Sequence, residues 1–223
     1  MGRIHLGSIL GTTITLDFSF IILVAFWVMS YIQTSGVQYA LLWIPVLFIS
    51  VLFHELAHAA MIGIFGFGPS QILLQGIGGV TINERRARPW QDLFISAAGP
   101  LSSFLLAFLI RLALMNIPYV RRDAFFLNLL PLLAQANILW GFFNLLPVAP
   151  LDGHGIVRNF LRMIVNERVA FLIAIFISMI VGGILVVISV FLKQPFMALL
   201  LLWFVRSSYL QWQFFRSYNR TDE

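Results

Sequence analysis

Cysteine is absent from the 223 residues. That excludes disulfides and thiolate metal sites, and leaves nitrogen and oxygen as the ligand atoms this chain can offer a metal. Charge is scarce too: Asp, Glu, Lys and Arg make up 10% of the chain, well below the share in an ordinary soluble domain. A water-soluble fold of this length would need far more polar surface. Apolar residues take its place, at 60% of the sequence with a mean hydropathy of +0.93. A helical bundle in lipid can turn such side chains outward, so the composition implies an all-α polytopic membrane protein. No polar stretch is long enough to fold separately, and residues 1–223 are expected to form one domain. Residues 1–16 lack the charged start and small-residue cleavage site of a secretory signal peptide, so the N-terminus is expected to be retained. The formal charge of +5 raises the question of nucleic acid. The basic residues, however, are scattered through short loops and the C-terminal region, as in loops that face anionic lipid. The expected partner is the bilayer, with no nucleic acid.

A membrane-spanning helix needs about 20 mostly apolar residues, and six windows supply them: 17–33, 41–63, 92–115, 125–148, 169–192 and 196–213. Lys193, Gln194 and Pro195 join the last two as a helical hairpin. Residues 71–83 are apolar but carry Gly76, Gly78 and Gly79. They are too short and glycine-rich to span as helix, and read as strand or hairpin. The stretch from His5 to Phe20, with its threonines and β-branched residues in partial alternation, also reads as strand. Orientation is set by the loop cations. Arg3, Arg85, Arg86, Arg88, Arg158, Arg162, Arg168, Arg206, Arg216 and Arg220 fall on one side, and only Arg111, Arg121, Arg122 and Lys193 on the other. Positive charge favours the inside, so both termini are expected to be cytoplasmic, in a cell membrane. The second and fourth spans then end at the cytoplasmic face.

The second window contains His54, Glu55 and His58 as H-E-x-x-H inside an otherwise apolar helix. Helical positions i and i+4 project only about 40° apart, so both imidazoles face one side and can share a metal. Glu55 lies about 60° beyond His58. From there it can reach a water in the metal's open position without ligating, as a general base must. A lone membrane histidine is more often a hydrogen-bonding packing residue. Three ionisable groups in one buried turn are another matter, because an acid at mid-bilayer costs roughly 2.5–3.5 kcal/mol and demands a function.

Two imidazoles leave a catalytic zinc underbound, so a third ligand is needed. The fourth window ends in FFNLLPVAPLDGHG, where Pro147 and Pro150 interrupt the helix and Gly153 and Gly155 loosen the residues after it. Asp152 sits on that broken segment, at a depth similar to that of His54 and His58 if both helices end at the same face. Its bland reading is a turn residue before glycine. His154 is the rival ligand, since residues two apart in an extended segment point the same way.

With these residues in place, the chain resembles the site-2 proteases, intramembrane zinc metalloproteases of the M50 type. HELAH from His54 and NLLPVAPLDG from Asn144 to Gly153 carry the resemblance, together with GIGG at Gly76 and AAGP at Ala97, over a catalytic core of about residues 50–155. The resemblance implies a six-helix enzyme with one zinc per chain on His54, His58 and Asp152. It makes Glu55 the catalytic base and sets Asn144 near the substrate or oxyanion. The sequence departs from the family's usual pattern at His154, where many members have a second glycine. Nothing in the chain reads as the PDZ or CBS domain that many relatives carry. Apart from the resemblance, Asn144 also suits an interhelical hydrogen bond, and Gly99 with Pro100 suits close packing and kinking.

A transmembrane substrate hides its amides in helical hydrogen bonds, so hydrolysis requires local unwinding. The strand at 71–83, through Gly76, Gly78 and Gly79, is expected to offer the unwound protein or peptide new backbone partners. Three alternatives carry their own signatures. A prenyl-protein-processing type of metalloprotease expects a suitable late glutamate ligand, which is missing here. A metal transporter expects polar residues along several helices. A catalytically inactive binding protein expects a broken His54, Glu55, His58 triplet.

Overall fold

In a computed structural model, residues 2–9, 11–84, 87–119 and 122–218 are described. Arg85, Arg86, Arg121 and Arg220, which enter the loop-charge comparison, lie outside the described residues. The chain begins with strands β1 (Arg3–Ile9) and β2 (Thr12–Asp17), an antiparallel pair with an irregularity between His5 and Gly7. The single N-terminal strand expected from the sequence is thus a hairpin, turning at Gly11, whose φ of 81° suits a residue without a Cβ. Asp17 closes β2 and caps α1 (Phe18–Ser35), accepting from the Ser19 amide at 2.9 Å and the Ser19 hydroxyl at 2.6 Å. Those two bonds hold its carboxyl below the ordinary aspartate range. Helix α1 stops at Gly36, whose φ of 79° lets its N–H return to Ile32 O. A short α2 (Val37–Leu41) leads into α3 (Trp43–Ile64).

Two further strands come next, β3 (Gln71–Gln75) and β4 (Gly78–Ile82), joined by the two-residue turn Gly76-Ile77. The predicted hairpin is therefore present, and it does not stand alone. Strand β3 pairs in parallel with β2, giving a four-stranded sheet of order β1-β2-β3-β4 with β4 at one edge. The remaining elements are helices: α4 (Pro89–Asn116), α5 (Ala124–Asn144), α6 (Asp152–Leu161), α7 (Glu167–Phe191) and α8 (Pro195–Tyr218). Proline opens α4 and α8, where its missing N–H costs nothing. Asn166 caps α7 through Val169 N.

Five of these stretches are long and apolar enough to cross a bilayer: Phe18–Ser35, Val37–Ile64, Pro89–Asn116, Ala124–Asn144 and Glu167–Phe191. The sixth expected span forms the continuous helix α8. It falls short of the same measure because it carries Arg206, Gln211, Gln213 and Arg216. Large exposed apolar side chains along the spans, such as Ile180 at 62% and Phe191 at 85%, suit lipid contact. The protein is an integral membrane protein. Helix α5 ends at Asn144, four residues before the predicted boundary, because Pro147 comes soon after and removes an amide the helix would need.

The chain divides into two compact units, Met1–Arg86 with Ala98–Phe142, and Ala87–Ala97 with Phe143–Glu223. The first has two apolar clusters, one around Trp43, Val46 and Leu133 and one joining Val51 and Ala59 of α3 to Ile72 and Leu74 of β3. The second packs Val148 and Leu151 against Leu201 and Phe204 of α8.

Candidate metal centre

The buried face of α3 runs through Ser50, Val51, His54, Glu55, His58, Ala59 and Ile62, the spacing of a single helical stripe. His54, Glu55 and His58 are only 2%, 5% and 7% exposed, so three ionisable side chains occupy one turn shielded from solvent. The two imidazole centroids are 4.9 Å apart with planes at 77°. Gly99 of α4 shows where the rings converge: a Cβ there would lie 2.3 Å from His58 Nε2 and 2.5 Å from His54 Nε2. Both Nε2 atoms thus border the small space that a glycine leaves open, a cradle any larger residue would fill. Gly99 keeps the packing role read from AAGP. What it packs against is the Nε2 edge of both histidines.

Ser103, one turn further along α4, lies against the His54 ring. Its hydroxyl lies 3.1 Å from His54 Nδ1 and 3.3 Å from Gly99 O. With its hydrogen on that carbonyl, Ser103 accepts from Nδ1–H, and the Nε2 lone pair is left for a metal. Glu55 is steadied from the sheet. Thr81 Oγ1 lies 2.8 Å from Glu55 Oε2 and 3.1 Å from Glu55 O. Gly79 passes so close that a Cβ would meet Glu55 Cγ at 2.2 Å. Its neighbours are glycines for related reasons: a Cβ on Gly78 would strike Trp140 at 2.9 Å, and one on Gly76 would strike Ser19 O at 3.0 Å.

Asp152 occupies the first turn of α6, preceded by Leu151 in extended geometry. The sequence pattern alone makes this stretch a broken, extended segment, and the structure corrects it to helix. Helix α6 forms despite Gly153 and Gly155 because both glycines are contact points. A Cβ on Gly153 would lie 2.2 Å from Leu145 O, and one on Gly155 would lie 2.8 Å from Ser96 Oγ. The segment before α6 is tied down by Ala149 N–H donating to Ser178 Oγ at 2.8 Å, with Ser208 Oγ a further 2.8 Å on. In a helix, residues two apart project about 200° from each other, so Asp152 and His154 diverge. His154 turns toward α7, its Nδ1 without a partner among the described residues. Burial first, and then Arg158, push it down to about 4, so it is neutral at neutral pH.

His54, His58 and Asp152 form a group that could hold a metal: one ligand atom from each, all within 4.8 Å of one another. Two imidazoles and one carboxylate, with no thiolate, match a catalytic zinc that keeps one position open. Asn144, the last residue of α5, is 8% exposed. Ser103 and Thr81 touch the candidate site residues His54 and Glu55, and sequence reasoning misses them, because a lone Ser or Thr in an apolar run gives no local sign of what it touches.

Comparison with known proteins finds zinc metalloproteases. The sequence profile of peptidase family M50 matches residues 115–189. The chain is 33% identical over 158 residues to a zinc metalloprotease of Methanocaldococcus jannaschii, covering 71% of this chain and 45% of that protein. It is 38% identical over 113 residues to a putative zinc metalloprotease of Mycobacterium tuberculosis, covering 50% of this chain and 29% of that one. The chain therefore spans less than half the length of these curated relatives. Among solved structures, it is similar to the site-2 protease from Methanocaldococcus jannaschii, with a TM-score of 0.68, 28% identity and 94% of each chain covered.

Proposed function

We propose that this chain, which matches peptidase family M50 in part of its sequence and a site-2 protease in fold, is a zinc endopeptidase of that family. Its reaction is hydrolysis of peptide bonds in or near transmembrane segments of membrane-protein substrates. The observation that carries this reading is the convergence of His54, His58 and Asp152 beside the buried carboxylate of Glu55. When bound, zinc lowers the pKa of a water toward about 7 and polarises a carbonyl. Glu55 takes the proton from the attacking water and delivers it to the leaving amine. Thr81, bonded to Oε2, sets the carboxylate's rotamer and leaves Oε1 for the proton. Ser103 keeps His54 in the ligating tautomer, and Asn144 is assigned to the substrate carbonyl or oxyanion.

The substrate strand has a specific place to add. In a hairpin closed by a two-residue turn the first pair, Gln75 with Gly78, is hydrogen-bonded, and pairs then alternate. Gly79 and Thr81 therefore fall in the non-hydrogen-bonded pairs, and their N–H and C=O groups point to the open edge of β4. The same two residues lie over Glu55, so a strand added there brings its backbone alongside the base. Gly76 and Gly78 shape the turn that presents this edge. Val80, 40% exposed, gives a test, because Val80→Cys would be the sole thiol of the chain. Disulfide trapping against a cysteine scan of the substrate is expected to succeed at every second substrate position. A period of three to four, or uniform trapping, would argue against strand addition.

The charge asymmetry of the loops supports an orientation with both termini cytoplasmic in a cell membrane. Reporter fusions after residues 36 and 168 are then expected to report opposite sides. The same side for both would overturn the arrangement.

A further inference from the structure

Beside the N-terminal end of α7 lies an open cleft of about 690 Å³, far from residues 54–58 in sequence and lined from α6, α7 and α8. Helix α8 contributes one stripe, Ser207, Leu210, Gln211, Phe214 and Phe215, the spacing of a single helical face. Across from it the side chains stack in order. The Arg168 guanidinium sits 6.0 Å from the Phe215 ring, Phe215 lies against Phe171 with centroids 4.7 Å apart, and Arg158 caps Phe171 at 5.5 Å. Arg158 is neutralised by Glu167 at 2.6 Å. Arg168 has no acidic partner among the described residues, so among them the cleft lining carries an unbalanced positive charge.

Depth identifies the occupant. Helix α7 has 25 residues, a length of about 37 Å at about 1.5 Å per residue, against about 30 Å of hydrocarbon. With Phe191 and Lys193 at one end, Arg168 at the other end falls at headgroup level. Leu210 and Ser207 lie one to two turns deeper along α8. Phe214, 74% exposed, and the Arg216–Trp212 stack at 5.5 Å extend the basic and aromatic character expected of an interfacial belt. A positive guanidinium at headgroup depth, above an apolar and aromatic trough running into the bilayer, fits an anionic amphiphile with one phosphodiester and an acyl chain. We propose that this cleft binds an anionic phospholipid, with its phosphate on Arg168 and an acyl chain along Leu210 and Phe214.

The test uses the purified full chain in neutral detergent. Native mass spectrometry would track retention of dioleoylphosphatidylglycerol against dioleoylphosphatidylcholine, with and without millimolar inorganic phosphate. One phosphatidylglycerol molecule is expected to be retained in preference to phosphatidylcholine. Arg168→Gln, at an exposed position, should weaken that preference about fivefold. Arg111→Gln, on α4 and outside the cleft, should leave it unchanged, and phosphate should not displace the lipid. Equal retention of the two lipids, an unaltered preference in Arg168→Gln, or displacement by free phosphate would each overturn the assignment.

Discussion

Glu55→Gln is expected to stop peptide hydrolysis while leaving zinc in place. The substitution keeps the size and shape of a side chain that is 5% exposed and pressed against Gly79, so the packing that surrounds it is undisturbed. The amide can still accept the Thr81 hydroxyl through its oxygen, which preserves the link to β4. What the amide cannot do is take a proton from water at neutral pH. General-base catalysis contributes about 10²–10⁴-fold, and the loss here is expected at or beyond the upper end, because misplacement of the water adds to it. Zinc stoichiometry should stay at the wild-type value, since Glu55 is not in the ligand group. Cleavage of a membrane-embedded substrate in liposomes, read beside metal content of the same preparation, checks both halves. A variant that cleaves at a comparable rate would remove Glu55 from its role. One that loses zinc would make it a ligand.

The elements legible in the sequence are those set by local composition. Long apolar windows mark the spans because a helix in lipid needs nothing else to be recognised, and H-E-x-x-H marks the metal face because its meaning is a spacing on one helix. The hairpin at 71–83 is legible from Gly76, Gly78 and Gly79. The parallel pairing of Thr13–Leu16 with Gln71–Leu74 is not, since it joins residues more than fifty positions apart. Helix α6 reads as extended because Pro150 and the D-G-H-G run argue against helix on propensity alone. The reason for those glycines, close approach to Leu145 O and Ser96 Oγ, exists only once the chain is folded. The same holds for Gly99. Read by itself, it signals packing. Its partners, the Nε2 atoms of His54 and His58, lie more than forty residues earlier.

The helical start of α6 also sharpens the choice of third ligand, and with it the second large effect. Asp152 joins His54 and His58 within 4.8 Å, half-buried where they are buried. It sits in the first turn of a helix, where the dipole favours the ionised carboxylate that a metal needs. His154 faces α7 instead. Removing a direct ligand is expected to weaken zinc binding by more than the roughly 10–100-fold caused by loss of an outer hydrogen-bond partner. The most direct measurement is therefore zinc content, by elemental analysis, of purified wild type, Asp152→Ala and His154→Ala, each confirmed as folded by its thermal melt. One zinc per chain in wild type, near zero in Asp152→Ala and close to one in His154→Ala is the predicted result. Full zinc in Asp152→Ala together with its loss in His154→Ala would contradict it.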